Sequence, residues 1–104
     1  MDKGEPALCP KVEAAFCFLS KKWAGLIVFL LGDGERYFSE LEAAIPDLSA
    51  RVLALRVRDL EKAGIVMRRV SQTSPVRVSY CLTEKGRSLA AILSEFAEWA
   101  QAQG

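Results

Sequence analysis

The segment from Leu48 to Gly86 constrains the fold more than any other part of the chain. It runs from a basic amphipathic stretch through a glycine stop and two strand-like runs to a new helix start. LSARVLALRVRDLEKAG keeps helical periodicity up to Gly64, IVMRRVS and VRVSYCLT read as strands joined by a polar QTSP link, and TEKGRSL restarts a helix. That order predicts a winged helix-turn-helix, mainly α with a small β-hairpin wing.

At about 100° per residue, Leu53, Val57 and Leu60 fall on one side of the first of these helices, with Arg51, Leu55, Arg58 and Lys62 nearly opposite. One face packs and the other offers cations. A shorter helix is expected just upstream, Ser39 to Ile45, preceded by Phe38 and opened by a Ser39–Glu42 capping box. The Pro46-Asp47 turn leads to Ser49, whose hydroxyl can cap the basic helix while Leu48 staples onto Leu53. Two helices joined by a short fixed turn make a helix-turn-helix.

Charge is distributed to match. Leu48 to Arg77 holds Arg51, Arg56, Arg58, Lys62, Arg68, Arg69 and Arg77 against Asp59 and Glu61, a balance of 7 − 2 = +5. The net charge is +1, so the rest of the chain carries −4. A basic patch on an acidic body steers onto phosphates in one orientation.

At 104 residues, half of them apolar, the chain is expected to form one domain with a single core. Its longest apolar run, AGLIVFLLG, is too short to span a bilayer and no signal-peptide pattern opens it, so no membrane partner and a cytoplasmic location are expected. Three cysteines, Cys9, Cys17 and Cys81, without CxxC spacing and with no histidine, argue against a disulfide framework or a zinc site. The missing histidine also removes the usual Cys–His and Ser–His nucleophile pairs. Glu40 and Glu42, or Asp59 and Glu61, sit two apart on helices and point apart. Neither an enzyme nor a cofactor is expected.

Met1 to Leu8 reads as a loose N-terminal arm, leaving residues 9–104 as the folded domain. Pro10 opens helix one, in which Val12, Ala15, Phe16 and Leu19 recur at helical spacing and Cys17 is expected in the core. After Lys21-Lys22 and Trp23, AGLIVFLL is apolar all round and should be the most buried helix, ending at Gly32. Asp33 to Tyr37 reads as a turn and short edge strand against the wing. In the second hairpin strand Val78, Tyr80 and Leu82 should face inward, Ser79 and Cys81 outward. Thr83 caps a last helix, 83–103, whose stripe of Leu89, Ile92, Leu93, Phe96, Trp99 and Ala100 is wider than a terminal helix needs. A homodimer through this helix and helix one is expected, presenting two basic helices to successive major grooves.

The ordered set Cys9-Pro10, Lys22-Trp23, Phe38-Ser39-Glu40-Leu41, Ser49 with Leu53, Arg56, Leu60 and Gly64, then Pro75, Val78-x-Tyr80-x-Leu82-Thr83 and Gly86 resembles the HxlR-type bacterial transcription regulators, relatives of the MarR group. The resemblance runs from about Cys9 to Trp99. It implies a dimeric winged-helix repressor or activator that binds an operator near its own gene, often one controlling detoxification of aldehydes, quinones or other reactive compounds. The chain departs from the family pattern at Ser20-Lys21, where Gly-Gly is usual, at Tyr37, where arginine is common, at Ala54 and Leu55, and at Val76.

Double-stranded DNA is thus the expected partner, met by Ser49, Ala50, Arg51, Leu55 and Arg58 along the groove-facing side of the basic helix. Arg51, near the helix start, suits a bidentate contact to guanine. Lys62 is placed at phosphate and Arg77 at the wing tip, toward the minor groove or backbone. Arg68 and Arg69 lie on opposite strand faces, so one at most meets DNA; Arg56, on the flank, fits an ion pair as well as DNA. Cys9 precedes Pro10 at a helix start in the accessible margin of the chain, and a subset of the resembled family senses oxidants or electrophiles through a cysteine at this position. Cys81 is a candidate second thiol. Two alternatives stay open: a protein-binding winged helix, and a regulator holding an apolar compound between the first and last helices with Phe16, Trp23, Phe96 and Trp99 as walls.

Overall fold

A computed structural model describes residues 8–104; the expected arm, apart from Leu8, lies outside the described residues. Five helices and three strands follow in the order α1 (Pro10–Ser20), α2 (Ala24–Leu31), β1 (Arg36–Tyr37), α3 (Phe38–Ala44), α4 (Ala50–Lys62), β2 (Val66–Val70), β3 (Val78–Leu82) and α5 (Glu84–Gln103). The expected edge strand is present as β1, and the sheet is antiparallel in the order β1-β3-β2. Pairing Tyr37 with Ser79 and Arg69 with Ser79 makes β3 the central strand and ties the wing to the start of α3.

The core forms where α2, α3, α4, the sheet and α5 converge. Ile27 and Val28 from α2, Leu41 from α3, and Leu53 and Leu60 from α4 are fully enclosed, joined by Ile65, Tyr80, Leu82 and Leu93. The expected packing face of α4, Leu53, Val57 and Leu60, is buried as the wheel requires. Leu48 is buried in the same cluster as Leu53, as a hydrophobic staple demands.

Two glycines fix the geometry after α4. Gly64 has φ 75°, a left-handed conformation that an L side chain resists, and it ends the helix. Gly86, in the first turn of α5, is buried against the chain after Gly64, and a Cβ there would lie 2.1 Å from the Ile65 carbonyl oxygen. Thr83 completes this joint. Its Oγ1 accepts from the Gly86 amide at 3.1 Å, capping α5, and donates to the Gly64 carbonyl at 2.6 Å.

Three expectations are corrected. The short helix spans Phe38–Ala44 and not Ser39–Ile45, and no Ser39–Glu42 box opens it: the Glu40 carboxylate accepts from the Tyr37 amide at 2.7 Å, two positions earlier. Phe38 packs against the core, its ring 6.5 Å from that of Tyr80, and this anchor draws it into the helix. Ser79 is buried instead of facing solvent, because the central position of β3 places it under Glu35 and Arg69; its hydroxyl donates to Glu35. Cys17 is exposed: α1 buries no residue in the single chain, since among the larger helix contacts it has only α2 as a neighbour. As expected, α2 is the most buried helix, enclosing Ala24, Ile27, Val28 and Leu31, while Leu26 and Phe29 on its outer side remain exposed.

Candidate nucleic-acid interface

The helix-turn-helix is built from short-range interactions. Ile45 ends α3, the Leu48 amide donates to the Ile45 carbonyl at 3.0 Å across the Pro46-Asp47 turn, and the Ser49 hydroxyl accepts from the Val52 amide at 3.2 Å. Ser49 is therefore the N-cap of α4, the role its position suggested. With the inner face of α4 locked into the core, Ala50, Arg51, Ala54, Leu55, Arg58 and Lys62 are all left exposed on its outer side. No acid among the described residues lies within ion-pair distance of Arg51, Arg58 or Lys62. The outer face of α4 is thus a row of cations uncompensated within the described protein.

The other arginines divide by partner. Arg56 is structural: its Nε donates to the Lys22 carbonyl at 2.8 Å and its Nη1 lies 3.6 Å from Asp59, which also holds Lys21 at 3.5 Å. In the wing Arg69 pairs with Glu35 at 3.8 Å, whereas Arg68 is exposed without an ion pair among the described residues. The loop Ser71–Arg77 closes on itself, the Ser71 amide donating to the Arg77 carbonyl at 2.8 Å and the Arg77 amide to the Ser71 hydroxyl at 2.9 Å. Arg77 does not project from a wing tip. Its guanidinium lies over the Tyr37 ring, 3.5 Å from the centroid, which brings it to the base of the wing beside the start of α3. Tyr37 was missed as a partner because its separation of 40 positions from Arg77 carries no periodic signal; only the β1–β3 register places them diagonally adjacent.

Cys9 is exposed and stands at the N-cap of α1, and Cys81 is half-buried in β3. The apolar cleft between α1 and α5 exists, with a volume of about 660 Å³, but its walls differ from the expected aromatics: Phe18, Leu19, Ile65, Leu89 and Ile92 line it, with Lys11 and Lys85 among them. Phe16, Phe96 and Trp99 instead lie exposed, at 70%, 61% and 59%, the last two rings stacked 5.9 Å apart. No single helix among the described residues is long and apolar enough to cross a membrane.

A capped basic helix displayed beside a three-stranded wing defines a winged helix-turn-helix protein of the kind that reads double-stranded DNA. The HxlR-like helix-turn-helix family profile matches residues 18–104, and the chain belongs to that family of DNA-binding transcription regulators. It is similar to YvaP, an uncharacterized HTH-type transcriptional regulator of Bacillus subtilis (strain 168), at 52% identity over 89% of this chain and 86% of the relative. To the HTH-type transcriptional regulator YodB of the same organism it is 46% identical, over 89% of this chain and 83% of YodB. The solved reduced form of YodB superposes with a TM-score of 0.80, covering 90% of this chain and 92% of that one. The redox regulator HypR in its oxidized form gives a TM-score of 0.83 at 37% identity, covering 90% and 96%.

Proposed function

We propose that this regulator binds its operator as a homodimer and releases or engages it in response to modification of Cys9. The observation that carries the DNA part is the exposed outer face of α4, where Arg51, Arg58 and Lys62 stand clear of any acid among the described residues while the opposite face is fixed in the core. Ser49, Ala50, Arg51, Leu55 and Arg58 then line the major groove. Arg51 reads a guanine edge, Leu55 meets a thymine methyl, and Lys62 and Arg77 contact phosphate.

The dimer reading rests on apolar surface. Val12, Phe16 and Leu19 of α1 and Ile92, Phe96 and Trp99 of α5 are exposed together in the single chain, more than an isolated domain of this size leaves to water. A two-fold axis through these helices sets two α4 helices one DNA turn apart.

Cys9 is the sensing thiol in this reading because it is exposed at the start of α1, on the helix that would form the dimer interface. YodB has been solved in quinone-bound form, and HypR is a redox regulator. With a quinone, the Cys9 sulfur bonds to a ring carbon, the thiol proton passes to one ring oxygen, and the hydrogen on the attacked carbon shifts to the other as the ring rearomatises to a substituted hydroquinone. Fluorescence anisotropy on duplexes flanking the gene, with nonspecific DNA as competitor, tests the whole reading. One fragment retained under competition and lost after benzoquinone treatment supports it; benzoquinone release that persists in Cys9→Ser removes Cys9 as the sensor.

A further inference from the structure

We propose that Tyr37 is a positioning residue for DNA binding: its ring holds the Arg77 guanidinium as a ready-made clamp for a backbone phosphate at the junction of wing and helix-turn-helix. The inference rests on the operator-binding reading and extends it to a residue outside the recognition helix.

Both ends of the contact are fixed. Tyr37 pairs with Ser79 in the β1–β3 register, and Arg77 lies two residues before Ser79, so the two side chains are diagonal neighbours on one sheet face. The Arg77 main chain is held through both its amide and its carbonyl by Ser71. Its guanidinium carbon sits 3.5 Å from the Tyr37 ring centroid, a distance that requires the cation to lie against the ring face. Stacking occupies the flat face of the guanidinium and leaves its N–H donors at the edge, the arrangement that grips a phosphate in two-pronged fashion. Glu35, an acid beside Ser79, is engaged by Arg69 and Ser79, and no acid among the described residues forms an ion pair with Arg77. Folded back onto Tyr37, Arg77 is withdrawn from the wing tip, which favours backbone contact over insertion into the minor groove.

Anisotropy titrations of the full chain on a mixed-sequence duplex, an A·T-tract duplex and a G·C-rich duplex, each across a salt series, test this. Arg77→Ala is expected to weaken all three about five- to tenfold and to lower the magnitude of the salt slope by about 1. Tyr37→Leu should reproduce most of that loss, Tyr37→Phe should bind like wild type, and Tyr37→Leu added to Arg77→Ala should cost nothing more. Tyr37→Leu binding like wild type, or an undiminished Tyr37→Leu loss in the Arg77→Ala background, overturns the positioning role. A selective loss on the A·T tract in Arg77→Ala overturns the phosphate assignment. A wild type that binds none of the duplexes overturns the operator-binding reading itself, and this one with it.

Discussion

Arg56, midway along α4, donates its Nε proton to the main-chain carbonyl of Lys22 at 2.8 Å, across 34 residues of sequence. The Asp59 carboxylate lies one helical turn on, 3.6 Å from Arg56 and 3.5 Å from Lys21. The recognition helix is therefore fastened to the α1–α2 junction, where Trp23 takes a left-handed φ of 78° that costs a non-glycine residue about 1 kcal/mol. Helix α1, which carries Cys9 and much of the exposed apolar surface, is thus linked directly to the helix that displays the cations.

Replacing Arg56 with alanine removes the hydrogen bond to Lys22 together with the link to Asp59. The side chain is only 23% exposed, so the loss is expected at about 1 kcal/mol, set mainly by the hydrogen bond; the ion pairs with half-open Lys21 and Asp59 add little. Arg56→Lys should not restore it, because an ammonium cannot make both contacts with one planar group. Urea unfolding followed by circular dichroism measures both variants, and an unchanged midpoint in Arg56→Ala would remove the fastening from the account.

Gly86→Ala should be among the most damaging single-methyl changes in the protein. The added Cβ would sit 2.1 Å from the Ile65 carbonyl oxygen, so α5 must move away from the chain that leaves α4, at a cost of about 3 kcal/mol. Gly64→Ala offers a contrast: nothing lies within 4 Å of its Cβ, and only the left-handed φ is penalised, by about 1 kcal/mol. Thermal melts of the two variants should rank in that order; equal melting points would mean that the α5 joint yields more readily than its geometry indicates.

On DNA, Arg51→Ala and Lys62→Ala should part company. Arg51 stands in the first turn of α4 and is expected to discriminate among bases by about 1–3 kcal/mol, so its loss should fall mainly on the preferred duplex. Lys62 ends the helix and should, as a phosphate contact, weaken all duplexes alike and reduce the salt slope. Parallel titrations on preferred and scrambled duplexes decide this. Equal loss on both duplexes in Arg51→Ala would reassign that residue to phosphate.

Much of the fold was legible where the signal was local, the start of α3 excepted. Periodicity gave α4 its buried and exposed faces, Gly64 gave its end, and Ser49 and Thr83 capped the helices they precede. Errors arose where tertiary pairing decides: the burial of Ser79 follows from β1 joining β3, and the exposure of Cys17 from α1 lying off the core. The candidate site followed the same division, since the α4 residues share one helix face and could be read as a group. The Lys22 carbonyl met by Arg56, Glu35 beside Arg69 and Tyr37 beneath Arg77 lie 34 or more positions away in sequence, beyond the reach of any periodic pattern.

The exposed apolar face gives the sharpest test of the dimer. Phe96 is 61% exposed in the single chain and among the described residues stacks only on Trp99, one turn further along α5. A glutamate at Phe96 touches no enclosed part of the core, so the single-chain fold should change by no more than about 0.5 kcal/mol. If Phe96 lies in a dimer interface, the same substitution buries an unpaired carboxylate there and should shift the protein to monomer. Sedimentation equilibrium of wild type and Phe96→Glu reads this directly, and the operator affinity should fall with it because two linked half-sites bind far more tightly than one. A wild type that sediments as a monomer would leave one α4 helix per bound molecule and remove the two-fold reading of the operator.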